Sequence, residues 1–369
     1  YKSPYSEGGY ESKNTPVRPL LQIYNLSVII TVIIKRGDNM KDSADIRKIN
    51  KHKIQKILWK GGQYTKQQLS VQTGLSIATC NTLLNEMEQS NEVIGEKKRL
   101  QDVGRESVCY QINEEFESFL CIYFELLNGE RTLTLHFLSA IGNIIEKIEK
   151  KCEIIDYSVI ANEMECVLKQ HNNISQIIVG TPSIAENGII RHCDIAELEN
   201  VEIVCQLEKQ FHIPVYLEND MHFKAYGYYS KCGKADEIIT LANFPAHILP
   251  GTASVHAGMI LKGKNQFAGM VGFLPYGIER EKELELLEKG TCRPFVSKAI
   301  TSIIAIVNPG IIVLTGDLLC EDSLDWIQRD CLQYIPYEYM PTFIYEDDLN
   351  AFYLEGMYQK ALDLKGVIK

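Results

Sequence analysis

From about residue 43 onward, apolar residues recur at helical or strand spacing. Residues 65–88 predict two short helices joined by a tight turn. Thr65 with Gln68 three residues on has the form of a capping box, and Leu69 is the inward residue of the first helix. Gly74 stands where the turn needs a positive φ. Leu75 follows as an apolar plug, and Ser76 caps the second helix. Cys80, Leu83, Leu84 and Met87 share one face of that helix, and the opposite face carries Ala78, Asn81, Thr82 and Asn85, small or polar and uncharged. Ahead of the pair, residues 43–60 predict an amphipathic helix with an apolar stripe of Ile46, Ile49, Ile54, Ile57 and Leu58. Lys48, Lys51, Lys53, Lys56 and Lys60 lie off the stripe, and Gly61-Gly62 ends the helix. Behind it, Val93-Ile94, a charged run to Arg99, Gly104-Arg105 and the alternating stretch 108–112 predict a two-stranded wing.

Beyond residue 113 short apolar runs alternate with helical patterns. Strands are predicted at 119–124, 132–138, 177–180, 215–218, 237–241, 256–262 and 311–315, and helices at 156–170, 197–210, 296–307 and 349–364. That alternation predicts an α/β body with partly parallel sheets. Residues 1–39 differ from the rest. Positions 1–19 are rich in Ser, Gly, Pro and Tyr without apolar period, and 20–34 is apolar but shorter than the roughly 20 residues of a bilayer span. The expectation is a poorly ordered or non-native leader preceding the true start, with a membrane tether as the alternative.

Charge sharpens this picture. The 369-residue chain carries a net charge of −10, yet residues 41–110 hold twelve Lys and Arg against eight Asp and Glu. A basic amino-terminal module on an acidic body suits a regulator whose small end touches phosphate. The uncharged outer face of the second helix suits the major groove. The predicted DNA surface is Lys66, Ser76, Ala78, Thr79, Asn81, Thr82 and Asn85, with Lys97, Lys98, Arg99 and Arg105 of the wing. The plainer alternative is a helical hairpin with a solvated face. Eleven cysteines are scattered without a C-x-x-C pair, which favours a reducing cytoplasm.

Several motifs carry a family resemblance. Residues 46–50 (IRKIN), Ile57-Leu58, Leu69 with Gly74-Leu75-Ser76 and Thr79, and Gly104-Arg105 resemble the amino-terminal module of repressors of the ROK family (repressors, open reading frames and sugar kinases). In the body, residues 177–182 (IIVGTP), 214–220 (PVYLEND), 267–275 (FAGMVGFLP), Val307-Asn308-Pro309 and 311–316 resemble further segments of that family. The resemblance implies a winged helix-turn-helix at 40–113. It implies a two-lobed body of the actin-like, ribonuclease-H-like class at 114–369, with lobes of roughly 114–235 plus 346–369, and 236–345.

Departures from the family pattern bear on mechanism. The kinase opening D-x-G-x-T is matched here by Tyr123 to Gly129, with Glu125 near the aspartate position and Leu127 and Asn128 in place of glycines. The second phosphate turn corresponds to 251–258, with only scattered glycines left, and the last motif reads Thr315-Gly316. Bulk at these places hinders the close backbone approach that a phosphate needs. The family's zinc site is matched by Cys292 alone, with Phe273 at its His position, and Met270 replaces a sugar-contacting Glu. No cofactor and no metal are therefore expected. Glu218-Asn219-Asp220 survives. The resemblance makes Asp220 a vestigial general base and Asn219 a hydroxyl ligand, while the residues themselves equally suit Asp220 as a helix cap. Tyr226, Tyr228 and Tyr229 are expected to pack rather than to bind sugar.

The expectation is a cytoplasmic regulator, a repressor of carbohydrate-related genes. It binds operator DNA, dimerises or forms a higher homo-oligomer, makes no membrane contact, and senses a sugar-like effector at Glu218, Asn219, Asp220, Met270 and Phe273. The altered wall favours an acylated or deoxy sugar over glucose. The alternatives are a sugar kinase with a fused DNA-binding module and an effector-free dimeric DNA-binding protein.

Overall fold

The computed structural model describes residues 43–98, 107–127, 129–233 and 236–366. The chain divides into two compact units at Asn50/Lys51, and of the first only the opening half of helix α1 (Ser43–Leu58) is described. The predicted leader, Arg99, Arg105 and Asn128 lie outside the described residues.

The local predictions of the helix pair hold. α2 (Lys66–Thr73) opens on a complete capping box between Thr65 and Gln68 and ends at Gly74 with φ 69°. α3 (Ile77–Gln89) starts at Ser76, whose side chain accepts from the Thr79 N–H, and it buries Cys80, Leu83, Leu84 and Met87. β2 (Val93–Lys98) pairs antiparallel with β3 (Ser107–Ile112). A short β1 (Tyr64–Thr65) joins on the other side, making the wing a three-stranded sheet. The apolar stripe of α1 needs correcting. Ile54 and Leu58 are buried, but Ile46 and Ile49 are 49% and 41% exposed.

A five-stranded sheet in the order β10-β7-β4-β5-β6 forms the first lobe. It comprises β4 (Ser118–Leu127), β5 (Glu130–Ser139), β6 (Ile144–Cys152), β7 (Ile174–Thr181) and β10 (Val215–Asn219). β4, β7 and β10 run parallel. Helices α4 (Tyr157–Gln170) and α5 (Ile203–Phe211) cover one face, where Ile160, Met164, Val167, Ile203 and Leu207 meet Leu120, Ile122, Ile177 and Val179. The short pair β8 (Ile184–Glu186) and β9 (Ile189–Arg191) follows β7. The second lobe is a sheet in the order β13-β12-β11-β14-β15. Its strands are β11 (Ile238–Asn243), β12 (Gly251–His256), β13 (Met259–Ile260), β14 (Ile311–Thr315) and β15 (Thr342–Tyr345). Its outer face carries α8 (Arg293–Val307) and α9 (Ser323–Cys331), and a short charged α7 (Arg280–Leu286) precedes them. The strand expected over 256–262 is instead a hairpin turn, because Ala257 and Gly258 take φ values of 49° and 73° between β12 and β13. The helix expected from residue 197 begins at Ile203, after a single 3-10 turn at Ala196–Leu198.

Two helices tie the lobes together. On α6 (Asp220–Cys232), Phe223 packs into the first lobe, whereas Met221, Ala225 and Tyr228 pack against Ile239, Leu241, Val255 and Val313 of the second. α10 (Asn350–Leu364) lies along α6. It fills the face of the first sheet with Tyr353, Met357 and Leu362. This layer runs without interruption into Ile54, Leu58, Leu69, Leu84 and Met87 of the helix pair. At the joint, Trp59 faces Phe119 with ring centroids 6.5 Å apart, and the Lys365 ammonium sits over both rings while pairing with Glu117.

Candidate functional site

The parallel strands β4, β7 and β10 end at one edge of the sheet, the usual ligand position in such sheets. Register decides what lines it. Tyr123 pairs with Gly180 and Gly180 with Glu218, so these three share one face. Gly180 leaves a gap in that row. A Cβ there would stand 2.1 Å from the Tyr353 hydroxyl, so the tyrosine of α10 takes the space. Glu125 and Asp220 lie two residues further along their chains, at that edge.

Asp220 does not cap α6. Asn219 does, its side-chain oxygen accepting from the Met221 and His222 N–H groups at 2.9 and 3.3 Å while its Nδ2 donates to the Ser183 carbonyl at 3.0 Å. One residue earlier than expected, the side-chain oxygen stands at the place from which the free N–H groups of the first turn are reached. Most of the hydrogen-bonding capacity of Asn219 is thereby used inside the protein.

Asp220 holds the Lys224 ammonium one turn along, at 2.8 Å, and the same ammonium stands 4.0 Å from Glu125 and 4.9 Å from the Tyr353 ring centre. Burial would lower the Lys224 pKa, but Asp220 and Glu125 more than offset this and raise it. Burial raises the Glu125 carboxyl, with Lys224 opposing. Lys224 was not singled out by pattern. Its spacing of four from Asp220 on one helix is the signal that could have found it.

Glu218 is 2% exposed. It accepts from His222 Nδ1 at 2.8 Å, from the Tyr216 hydroxyl at 2.9 Å, and from Lys262 of the second lobe. Burial would raise its pKa, but His222 and Lys262 prevail and hold it down at about 2. It is therefore an anion that clips the two lobes together. Met270 and Phe273 stand on the segment after β13, whose turn at Lys264–Gln266 packs on β8. Phe273 is 52% exposed and meets Phe267 edge-on at 5.2 Å. Two grooves of about 660 and 650 Å³ lie elsewhere: Glu202, Cys205 and His212 line one, Arg293, Ser297 and Tyr334 the other, and none of the five predicted ligand residues lines either.

The phosphate motifs are partly legible. The stretch 251–256 is strand β12, its backbone paired with β11. Gly316 keeps φ 105°, and a Cβ there would stand 2.4 Å from the Phe244 carbonyl, so that turn is filled by the chain itself. Tyr226 and Tyr228 are buried, and Tyr226 donates to Asp363. Among the described residues, no group of three metal-ligating side chains has coordinating geometry.

On the predicted DNA face Ala78, Thr82 and Asn85 are exposed. Asn81 accepts a 2.6 Å hydrogen bond from Lys66, which also lies 5.3 Å from the Tyr110 ring centre. Thr82 bonds back to the Ala78 carbonyl, and Ser76 and Thr79 share a bond at 2.9 Å. Lys97 is exposed, and Lys98 pairs with Glu96 and donates to Gln63. Lys51, off the apolar stripe of α1, pairs at 2.6 Å with the buried Glu92, which also accepts from Gln55. A buried carboxylate draws the nearest cation to it.

No family model matches the chain. It is similar to the xylose repressor of Caldicellulosiruptor bescii, 22% identical over 236 residues, 62% of this chain and 58% of that protein. The chain thus spans less than two thirds of that relative's length. Its fold is similar to that of a ROK family transcriptional regulator, homolog of the E. coli MLC protein. That match has a TM-score of 0.65 and 15% identity, and covers 88% of this chain and 100% of that one. It is also similar to a ROK hexokinase from Thermus thermophilus, with TM-score 0.54 and 16% identity over 68% and 99% of the two chains. These likenesses support the ROK-type resemblance read from the sequence and establish its fold class, α/β with a two-lobed kinase-like body. No described helix is long and apolar enough to cross a membrane.

Proposed function

We propose that this chain is a sugar-responsive, DNA-binding transcriptional regulator whose kinase-type body does not phosphorylate. The observation that carries the second half is the ion pair between Asp220 and the buried Lys224. A general base must be free to take the substrate proton. Here the carboxylate is engaged by an ammonium fixed on its own helix, and taking a proton would leave that ammonium short of a partner. The filled turn at Gly316 and the β pairing of 251–256 support the same reading.

The first half rests on the capped helix pair at residues 65–89, its uncharged exposed face beside Lys97, and the similarity to a xylose repressor. In this reading residues 40–113 hold operator DNA as a dimer, and the body, in the cytoplasm, senses a small polyol at the carboxyl ends of β4, β7 and β10. The unbroken core from α10 to Leu58 supplies a physical route between the two. The effector must prefer one lobe arrangement, since equal affinity for both shifts nothing.

The test is selection of DNA fragments by the full chain, followed by mobility shift with and without a sugar panel, beside an assay of sugar-dependent ATP consumption. Sequence-selective retention, altered by a sugar, without ATP consumption is the expected result. Phosphorylated hexose formed by the wild type and lost in Asp220→Asn would restore a kinase. Retention that no sugar alters would leave a DNA-binding protein without effector.

A further inference from the structure

This edge of the sheet is out of charge balance. One ammonium, Lys224, serves two carboxylates, Asp220 at 2.8 Å and Glu125 at 4.0 Å. Asp348 and Glu149 add negative potential at Glu125. Glu149 is itself paired with Lys147 at 2.6 Å. Glu125 keeps 27% of its side chain open to solvent, so its charge is within reach of a ligand.

A second observation lies beneath this pair. The Tyr353 hydroxyl is buried, with the residue 1% exposed, and has no hydrogen-bond partner. It fills the space over Gly180, whose register neighbours Tyr123 and Glu218 stand two residues before Glu125 and Asp220 in the chain. Asp220 and Glu125 are the charges that act on it most strongly. A buried phenol left unpaired is costly, and a ligand hydroxyl would relieve it.

Resting on the sensor reading above, we propose that the effector is a polyol carrying a primary amine, an amino sugar, with its ammonium on Glu125 and a hydroxyl toward Tyr353. The ligand cation restores the charge balance that Lys224 leaves incomplete. A sugar phosphate or sugar acid brings a further anion to the same carboxylates and is repelled. N-acetylation removes the charge and with it the preference.

Calorimetry on the full-length protein at low salt tests this with glucosamine, glucose, N-acetylglucosamine, glucose 6-phosphate and ethanolamine as probes. Glucosamine is expected to bind at least tenfold more tightly than glucose or N-acetylglucosamine, and glucose 6-phosphate and ethanolamine more weakly than any of these. Glu125→Gln should remove the glucosamine advantage. Tyr353→Phe, which keeps the buried ring and so the fold, should weaken glucosamine and glucose alike. Equal or better binding of glucose, N-acetylglucosamine or glucose 6-phosphate overturns the amine assignment and leaves the sensor reading standing. Ethanolamine binding as tightly as glucosamine overturns the sugar part, and unchanged binding in Tyr353→Phe overturns the role of that hydroxyl. No binding by any probe to a chain that retains DNA overturns both this inference and the sensor reading.

Discussion

The backbones of α6 and α10 cross at Gly227 and Gly356: a Cβ on Gly227 would stand 1.8 Å from the Phe352 carbonyl oxygen, and one on Gly356 1.9 Å from that of Phe223. No side chain fits at either place without driving the helices apart. Because α6 packs on both sheets and α10 continues into the core of the helix pair, this crossing is the joint on which the three layers meet.

Gly227→Ala and Gly356→Ala should each destabilise the fold by at least about 1–3 kcal/mol, the usual cost of overpacking. Urea unfolding measures it. A loss below about 0.5 kcal/mol in both would mean that the helices separate freely, which is the range of an ordinary surface substitution.

Lys224→Met keeps the length of the side chain but strips the ammonium from between Asp220 and Glu125. Unpairing a buried charge costs roughly 3–5 kcal/mol. Thermal unfolding should show most of this loss, and adding Asp220→Asn should recover it. If the double variant is no more stable than the single one, the pairing is not the cause.

On the DNA side, Lys66 and Asn81 act as a unit through their 2.6 Å bond. Lys66→Ala and Asn81→Ala should therefore be non-additive in operator affinity, with a coupling of roughly 0.5–3 kcal/mol in a double-mutant cycle. Lys97→Ala should weaken all sequences alike and reduce the salt slope by about one. Simple additivity of the first pair would show that Asn81 reads bases independently of Lys66.

His136, buried on β5, responds to pH. Burial, with Lys147 second, lowers its pKa from 6.5 to about 4. The folded chain keeps the imidazole neutral where the unfolded chain protonates it. The stabilisation is complete above pH 6.5 and is lost as pH falls toward 4, amounting to roughly 2–3 kcal/mol. Urea midpoints between pH 7 and pH 4.5 should fall in the wild type and fall less in His136→Phe. Equal slopes would exclude His136 as the source.

The sequence by itself determined what depends on neighbours within four residues. Thr65 with Gln68, Gly74 and Ser76 set the bounds of the helix pair, because caps and left-handed turns are satisfied locally. The strands at 311–315 and 177–180 were legible for the same reason, as continuous apolar runs mark buried parallel strands. The motif Glu218-Asn219-Asp220 was also visible, but its division of labour was not: one residue of register made Asn219 the cap and left Asp220 to Lys224. Only the tertiary structure decided that Lys224 stands between Asp220 and Glu125, that Lys51 turns to Glu92, that Lys262 clips Glu218, and that Tyr353 fills the gap over Gly180. Apart from Asp220 and Lys224, four apart on one helix, each of these brings together residues distant in the chain, and their meeting follows from sheet register and from the close crossing at Gly227 and Gly356. No local pattern of apolar and polar residues encodes that crossing, because a glycine in a helix reads as a weakness until the backbone opposite is known.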